Sequence, residues 1–233
     1  MIAIVLSLHK SEVENVRYTG AMVKTSRTNA PPRDRLMAAA GLFYTDGIRA
    51  VGVNRLLEEA RTPIMSLYRH FGSKDGLVEA FLRDKDSRVR AKFERQVNRL
   101  ADNGRDRVLA VFDVLGEVIA DPAYRGCTFI NVAVEMADPE HPFVEIAISH
   151  KNFVRQSFSR YLAEAGLRET EPLATQLLML MNGVFVSAQM HPNGKDAALQ
   201  GRMAAEALLD AALNAQANSV NGSAVASRGD SGG

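Results

Sequence analysis

The 233 residues are 46% hydrophobic and include a single cysteine, enough apolar material for one or two packed domains and too few thiols for a disulfide framework. A lone thiol suits a reducing cytoplasm. The apolar run Met1–Leu8 is about half the length of a membrane span and has no basic segment before it, so it reads as neither span nor secretion signal. No other stretch reads as a span. The net charge of +1 hides a division: residues 24–107 hold 18 Lys/Arg against 11 Asp/Glu, residues 108–233 hold 8 against 14, and residues 1–23 balance at two each. A basic front and an acidic rear favour a polyanionic partner for the front alone. Solvated surface charge is the ordinary alternative, but it gives no reason for the two halves to differ.

In chain order, residues 1–30 show no sustained period and read as a flexible arm. Met22, followed by Val-Lys-Thr-Ser-Arg-Thr, resembles a more natural start. Lys24, Arg27 and Arg33 could reach a minor groove or backbone from such an arm, with plain disorder as the alternative. Pro31-Pro32 leads into a helix from Arg33 to about Asp46, with Leu36, Ala39, Ala40 and Phe43 on one face. Gly52 precedes a short helix, Val53 to Ala60, and lets backbone N–H groups at its start approach a phosphate. After a turn at Arg61-Thr62, Thr62 is expected to cap a second short helix, Pro63 to His70, with proline at its first position. Ile64, Leu67, Tyr68 and Phe71 fall at helical spacing, and Gly72 stops the helix.

Helices this short must lean on their neighbours. Left facing outward are Ser66, Arg69 and His70, with Tyr68 and Lys74 at the C-terminal end. A narrow helix showing hydroxyls, a guanidinium and an imidazole matches the width of the DNA major groove. Residues 31–80 are therefore read as a helix-turn-helix domain. A tight αα corner with solvated charges is the alternative that spacing alone leaves open.

Ser73 caps a long helix from Lys74 to about Ala101, which joins the front domain to a rear one over residues 81–217. Further helices are expected at Arg105–Ala120, Gly126–Met136, Pro142 to about Ala165, Pro172–Met190 and Asp196 to about Ala217. Gly126–Met136 is rich in β-branched residues, but a lone strand in a helical chain has no partner. The helix 172–190 is apolar nearly all round and must be covered on every face, which implies a second copy of the chain and places Leu180 at the interface. Residues 218–233, rich in Gly, Ser and Asn, read as a disordered tail. The sum is an all-α chain of about nine helices.

Within the rear helices, Phe112, Leu115, Ile130, Val134, Phe153, Met179 and Phe185 are apolar candidates for a ligand pocket. Cys127, Asn131, His150 and Asn182 are polar groups set among them, and a buried polar group needs a partner that a ligand could supply. Each is as readily a satisfied core or interface group. His141, His150 and His191 show no metal spacing, and no metal or cofactor is expected. Cys127, flanked by apolar residues in sequence, reads as inert packing rather than a redox thiol. No Gly-rich phosphate loop, nucleophile elbow or carboxylate pair tied to a base points to an enzyme.

The segment LYRHFGSKDGL, with the approach PRDRLMAAAGLFYTDGIRAVGV before it, resembles the N-terminal domain of TetR (tetracycline-repressor-like) transcriptional regulators. RGCTFINVAVE, the HPF…SHKNFV helix and LATQLLMLMNG follow in an order similar to one branch of that family, so the resemblance covers about residues 33–215. It implies a homodimer whose front domains bind double-stranded DNA at a roughly palindromic operator. The rear domains would dimerise through the last two helices and hold a small-molecule effector that releases the repressor. A constitutive DNA-binding factor without effector is the alternative. Tyr68, His70 and Lys74 match positions that touch phosphates, while Ser66 and Arg69 sit among groove-facing ones. The chain departs from the family pattern at Arg61-Thr62, where Gly-Val is usual, and at Gly52, where a hydroxyl is usual. The first departure adds charge at the turn and a possible phosphate contact; the second leaves only the backbone N–H.

Overall fold

Ten helices and no strand make up residues 29–190 and 194–229, the part of the chain described by the computed structural model. The expected arm lies almost wholly outside these residues, with Lys24 and Arg27. Where one helix was expected over Arg33–Asp46 there are two, α1 (Pro32–Ala39) and α2 (Leu42–Asp46). Gly41 sits at the break, and its N–H reaches back only three residues to the Ala38 carbonyl. Glycine weakens a helix interior by about 1 kcal/mol relative to alanine, so the chain kinks there instead of running on.

α3 (Val53–Ala60) and α4 (Ile64–Phe71) form the two short helices. The Ser73 side chain then accepts the Gly76 N–H at 3.0 Å and starts α5 (Lys74–Leu100), 27 residues long and so about 40 Å. Gly76 lets α5 press against the end of α4: a Cβ there would lie 1.9 Å from the Phe71 carbonyl oxygen. Along α5, Arg83, Arg88 and Arg90 pair with Glu79, Asp84 and Asp86 one turn back, the first two pairs on the solvent side and the third partly buried; an exposed pair of this kind adds a few tenths of a kcal/mol.

The rear half contains α6 (Gly104–Ile119), α7 (Thr128–Met136), α8 (Pro142–Glu164), α9 (Glu171–Met190) and α10 (Gly194–Gly229). Thr128–Met136 is helical despite its β-branched content, starting two residues after the expected Gly126. The last helix runs on through Gly229, past the expected end at Ala217 and into the stretch read as a disordered tail. No proline follows Pro192, and alanines recur through residues 204–226, which favours continuing the helix.

The apolar packing forms two cores. One gathers α6, α8, α9, α10 and the end of α5, with Phe112, Phe158, Tyr161 and Leu177 almost wholly covered. The other is not confined to the front domain. Leu36, Phe43, Leu56, Leu67 and Leu82 share it with Phe129, Val132 and Met136 of α7 and Phe143 of α8.

Hydrogen bonds tie both ends of α7 to the front. The Tyr44 hydroxyl donates to the Gly126 carbonyl at 3.0 Å and accepts the Arg125 N–H at 2.8 Å. The Glu135 carboxylate accepts the N–H groups of Ile48 (3.0 Å) and Arg49 (2.6 Å), and the Arg49 guanidinium reaches the Met136 carbonyl.

α9 contains a window with mean hydropathy 1.3, long and apolar enough by composition to cross a bilayer, contrary to the expectation that no such stretch exists; a third of it is buried. Leu173, Leu177, Met181 and Val184 face the rear core, whereas Met179, Val186 and Met190 face out.

Candidate nucleic-acid interface

Because α4 is only two turns long, its orientation depends on what lies beneath it. Leu67 is wholly covered, and Ser66 and Thr62 are only 7% and 6% exposed. This corrects two expectations. The helix begins at Ile64 with Pro63 as its N-cap, and Thr62 does not cap it: the Thr62 hydroxyl donates to the Ala60 carbonyl at 2.9 Å. Ser66, expected in a groove, points inward, on the side of α4 that packs against α1 and α5. The open face instead carries Met65 (71% exposed), Tyr68 (51%), Ile64, Arg69 and His70. Apolar spacing alone had placed Ile64 on the inner face.

The remaining front positions cluster around α4. Gly52 is the extended N-cap of α3, exposed, with nothing within 4 Å of a would-be Cβ. Arg61 closes α3 in the left-handed region, φ 47°, its N–H bonded to the Glu58 carbonyl. An L residue with a Cβ is strained there by about 1 kcal/mol or more, which explains why glycine would be the ordinary choice. The Lys74 ammonium donates to the Ile48 carbonyl at 2.6 Å and is half-buried. Arg33 lies over the Phe71 ring at 5.9 Å, on the flank of α4.

Residues 36–81 match the model of the bacterial regulatory proteins of the tetR family. The front domain is that of the TetR family. The chain is accordingly a DNA-binding transcriptional regulator. It is 21% identical over 175 residues to the HTH-type transcriptional regulator YjdC of Escherichia coli, covering 75% of this chain and 92% of that one. A TetR-family transcriptional regulator from Streptomyces coelicolor superposes with a TM-score of 0.74 at 28% identity, over 80% of this chain and 92% of that one. A TetR regulator from Chloroflexus aurantiacus shares the fold, with a TM-score of 0.65 at 21% identity over 77% and 94% of the two chains.

In the rear half, most of the expected pocket residues do not converge. Val134 and Met179 are 74% and 67% exposed and face away from the interior, because α7 and α9 each have an outward apolar face. Phe112 and Leu115 are core, with the Phe112 ring 6.2 Å from that of Phe158. Phe153 packs edge-on to Phe93 beneath Arg90, and Ile130 packs against the front core. Asn131 donates to the Arg125 carbonyl at 2.8 Å.

His150 is a satisfied core group that joins α8 to α5. Its Nδ1 lies 2.7 Å from an Asp86 carboxylate oxygen and its ring stacks on Phe129 at 3.9 Å. Burial depresses its pKa to about 4, against the raising influence of Asp86. Arg90 also binds Asp86, so the carboxylate is neutralised without an imidazolium.

Cys127, Asn182 and Phe185 do come together, around a residue missed in the sequence. The Lys151 ammonium donates to Asn182 Oδ1 at 2.7 Å and lies 3.6 Å from Cys127 Sγ and 5.4 Å above the Phe185 ring. Cys127 is therefore not flanked by apolar groups alone, as its sequence neighbours suggest. Tyr124 stacks on Phe185 and donates to its carbonyl at 2.8 Å. Burial raises the Tyr44 and Tyr124 hydroxyls and lowers the Lys85 ammonium. A lysine on an amphipathic helix ordinarily reads as solvent-facing, so only the absence of a nearby acidic partner in α8 could have singled out Lys151.

Proposed function

We propose that the chain is a cytoplasmic homodimeric repressor that grips a roughly palindromic operator with α4 and is released by a small ligand. The observation that carries this reading is the α4 surface: Met65, Tyr68, Arg69 and His70 stand open above the buried Leu67. Residues near the N-terminus of a recognition helix reach base edges, which suits Met65; Arg69, in the last turn, has the length to reach a base from the same open face. Tyr68, His70, Lys74, Arg61 and the N–H groups behind Gly52 would hold phosphates, and such contacts set position without reading sequence. Ser66 and Thr62, both buried, stay on the inner side of the motif. Two copies of α4 must lie about 34 Å apart to enter successive major grooves.

Support for the second copy comes from α9 and α10. Met179, Val186 and Met190, with Leu199, Met203 and Leu208, stand exposed, and a contiguous apolar surface of that kind marks an interaction site. A ligand would favour release only by binding one α4 separation better than the other.

The test is selection of bound genomic fragments followed by titration at several salt concentrations. An operator-specific affinity that falls steeply with salt supports the reading, since each neutralised phosphate contributes about 0.9 to the slope of log K against log salt. Equal affinity for operator and random duplex would remove the repressor reading. Retention on the operator across a metabolite library would favour a constitutive factor.

A further inference from the structure

Between α2 and α7 lies a cavity of about 200 Å³. It sits between the two clamps described above, with Tyr44 at one end and Glu135 at the other, so it occupies the contact that ties the DNA-binding helices to the rear half. Its floor is apolar: Phe43 and Phe81 meet edge-to-face at 5.9 Å.

The polar wall is unevenly engaged. Both Glu135 oxygens already accept backbone N–H groups, and the Asn131 amide nitrogen is held by the Arg125 carbonyl. Thr128 is different. It lines the cavity, is only 7% exposed, and its hydroxyl makes no hydrogen bond among the described residues. Its oxygen is not shut off from solvent, so it is free to bond an occupant of the cavity. Arg125, an exposed residue, also lines the cavity, and of its guanidinium Nη1 alone is engaged, on the Tyr124 carbonyl. What remains on offer is a hydroxyl and a guanidinium above an aromatic floor.

We propose that this seam is a binding site for a small monocarboxylate carrying one aromatic ring. A cavity of about 150 Å³ accommodates benzene, so this one has room for a ring and one small substituent. The carboxylate would accept from Thr128 and Arg125 while the ring meets Phe43 and Phe81. Binding itself is independent of the repressor reading; the effect on DNA rests on it, because an occupant wedged between the clamps alters how α2 and the loop before α3 sit against α7.

The experiment is calorimetric titration of the full chain with benzoate, using benzyl alcohol as the neutral comparison, with operator binding measured in parallel. Benzoate should bind at least tenfold more tightly than benzyl alcohol, and Arg125→Gln and Thr128→Val should each weaken benzoate about tenfold, as loss of a charge-assisted hydrogen bond does. Without ligand, Thr128→Val should leave the melting temperature unchanged or higher, because the hydroxyl has no protein partner to lose. No heat with benzoate, unchanged affinity in both variants, or a lower melting temperature for Thr128→Val would each overturn the site. Benzoate binding that leaves operator affinity untouched would uphold the site and overturn release by this ligand.

Discussion

Two of the apolar surfaces that the described residues leave open to solvent differ in kind. On α4, Ile64, Met65 and Tyr68 are interleaved with Arg69 and His70 on a rod two turns long. On α9, Met179, Val186 and Met190 recur at helical spacing across a broad face without a charged residue between them. Exposure alone does not identify a partner. A narrow, cationic, partly apolar rod suits a groove with phosphates on its rims, where thymine methyls reward apolar contact. A broad uncharged face suits its own copy, since symmetric interfaces are self-complementary.

The largest effect should come from charging the broad face. Met179→Glu is expected to give monomers by sedimentation and to lower operator affinity at least a hundredfold, while the protomer keeps its melting behaviour. A dimeric Met179→Glu protein would move the interface elsewhere. Leu180, expected from the sequence at the interface, is half-buried against the rear core, so charging it would confuse dissociation with unfolding.

On the narrow face, Arg69→Ala should cost about 1–3 kcal/mol at the operator and far less on random duplex, as loss of a base contact does. Equal losses on both would make Arg69 a phosphate ligand. Tyr68→Phe should show the opposite pattern, a loss of about 1 kcal/mol shared by operator and random DNA; a loss confined to the operator would contradict its phosphate role. The smallest change is expected at the turn. Arg61→Gly should relieve about 1 kcal/mol of backbone strain, raising the melting temperature by a few degrees, while weakening all duplexes slightly. A lower melting temperature would show that the arginine side chain stabilises the turn.

The helices were legible from the sequence wherever apolar spacing and end signals agreed. Ser73 and Gly72 bracket the start of α5, and Pro142 and Gly166 bracket α8. Orientation was harder. Ile64 and Tyr68 fit the apolar stripe of α4 as well as Leu67 does, yet Ser66 takes the inner position against α1 and α5, a choice that hydrophobicity does not encode. The same limit explains the pocket. Phe112 and Met179 are both apolar residues on apolar helices, but one fills the core and the other faces out, and only tertiary packing separates them. The Tyr44 and Glu135 clamps join residues more than 80 positions apart, beyond the reach of any local pattern.

The unbroken course of α5 has a mechanical corollary. It begins against the end of α4 with no slack at Gly76 and ends inside the rear core, so the two halves share one stiff shaft. Pivoted near Leu100, a tilt of about 5° would swing the Lys74 end through about 3.5 Å over the roughly 40 Å of helix, close to the spacing of one base-pair step. A rearrangement too slight to disturb the rear packing is therefore enough to shift a bound helix out of register with its half-site.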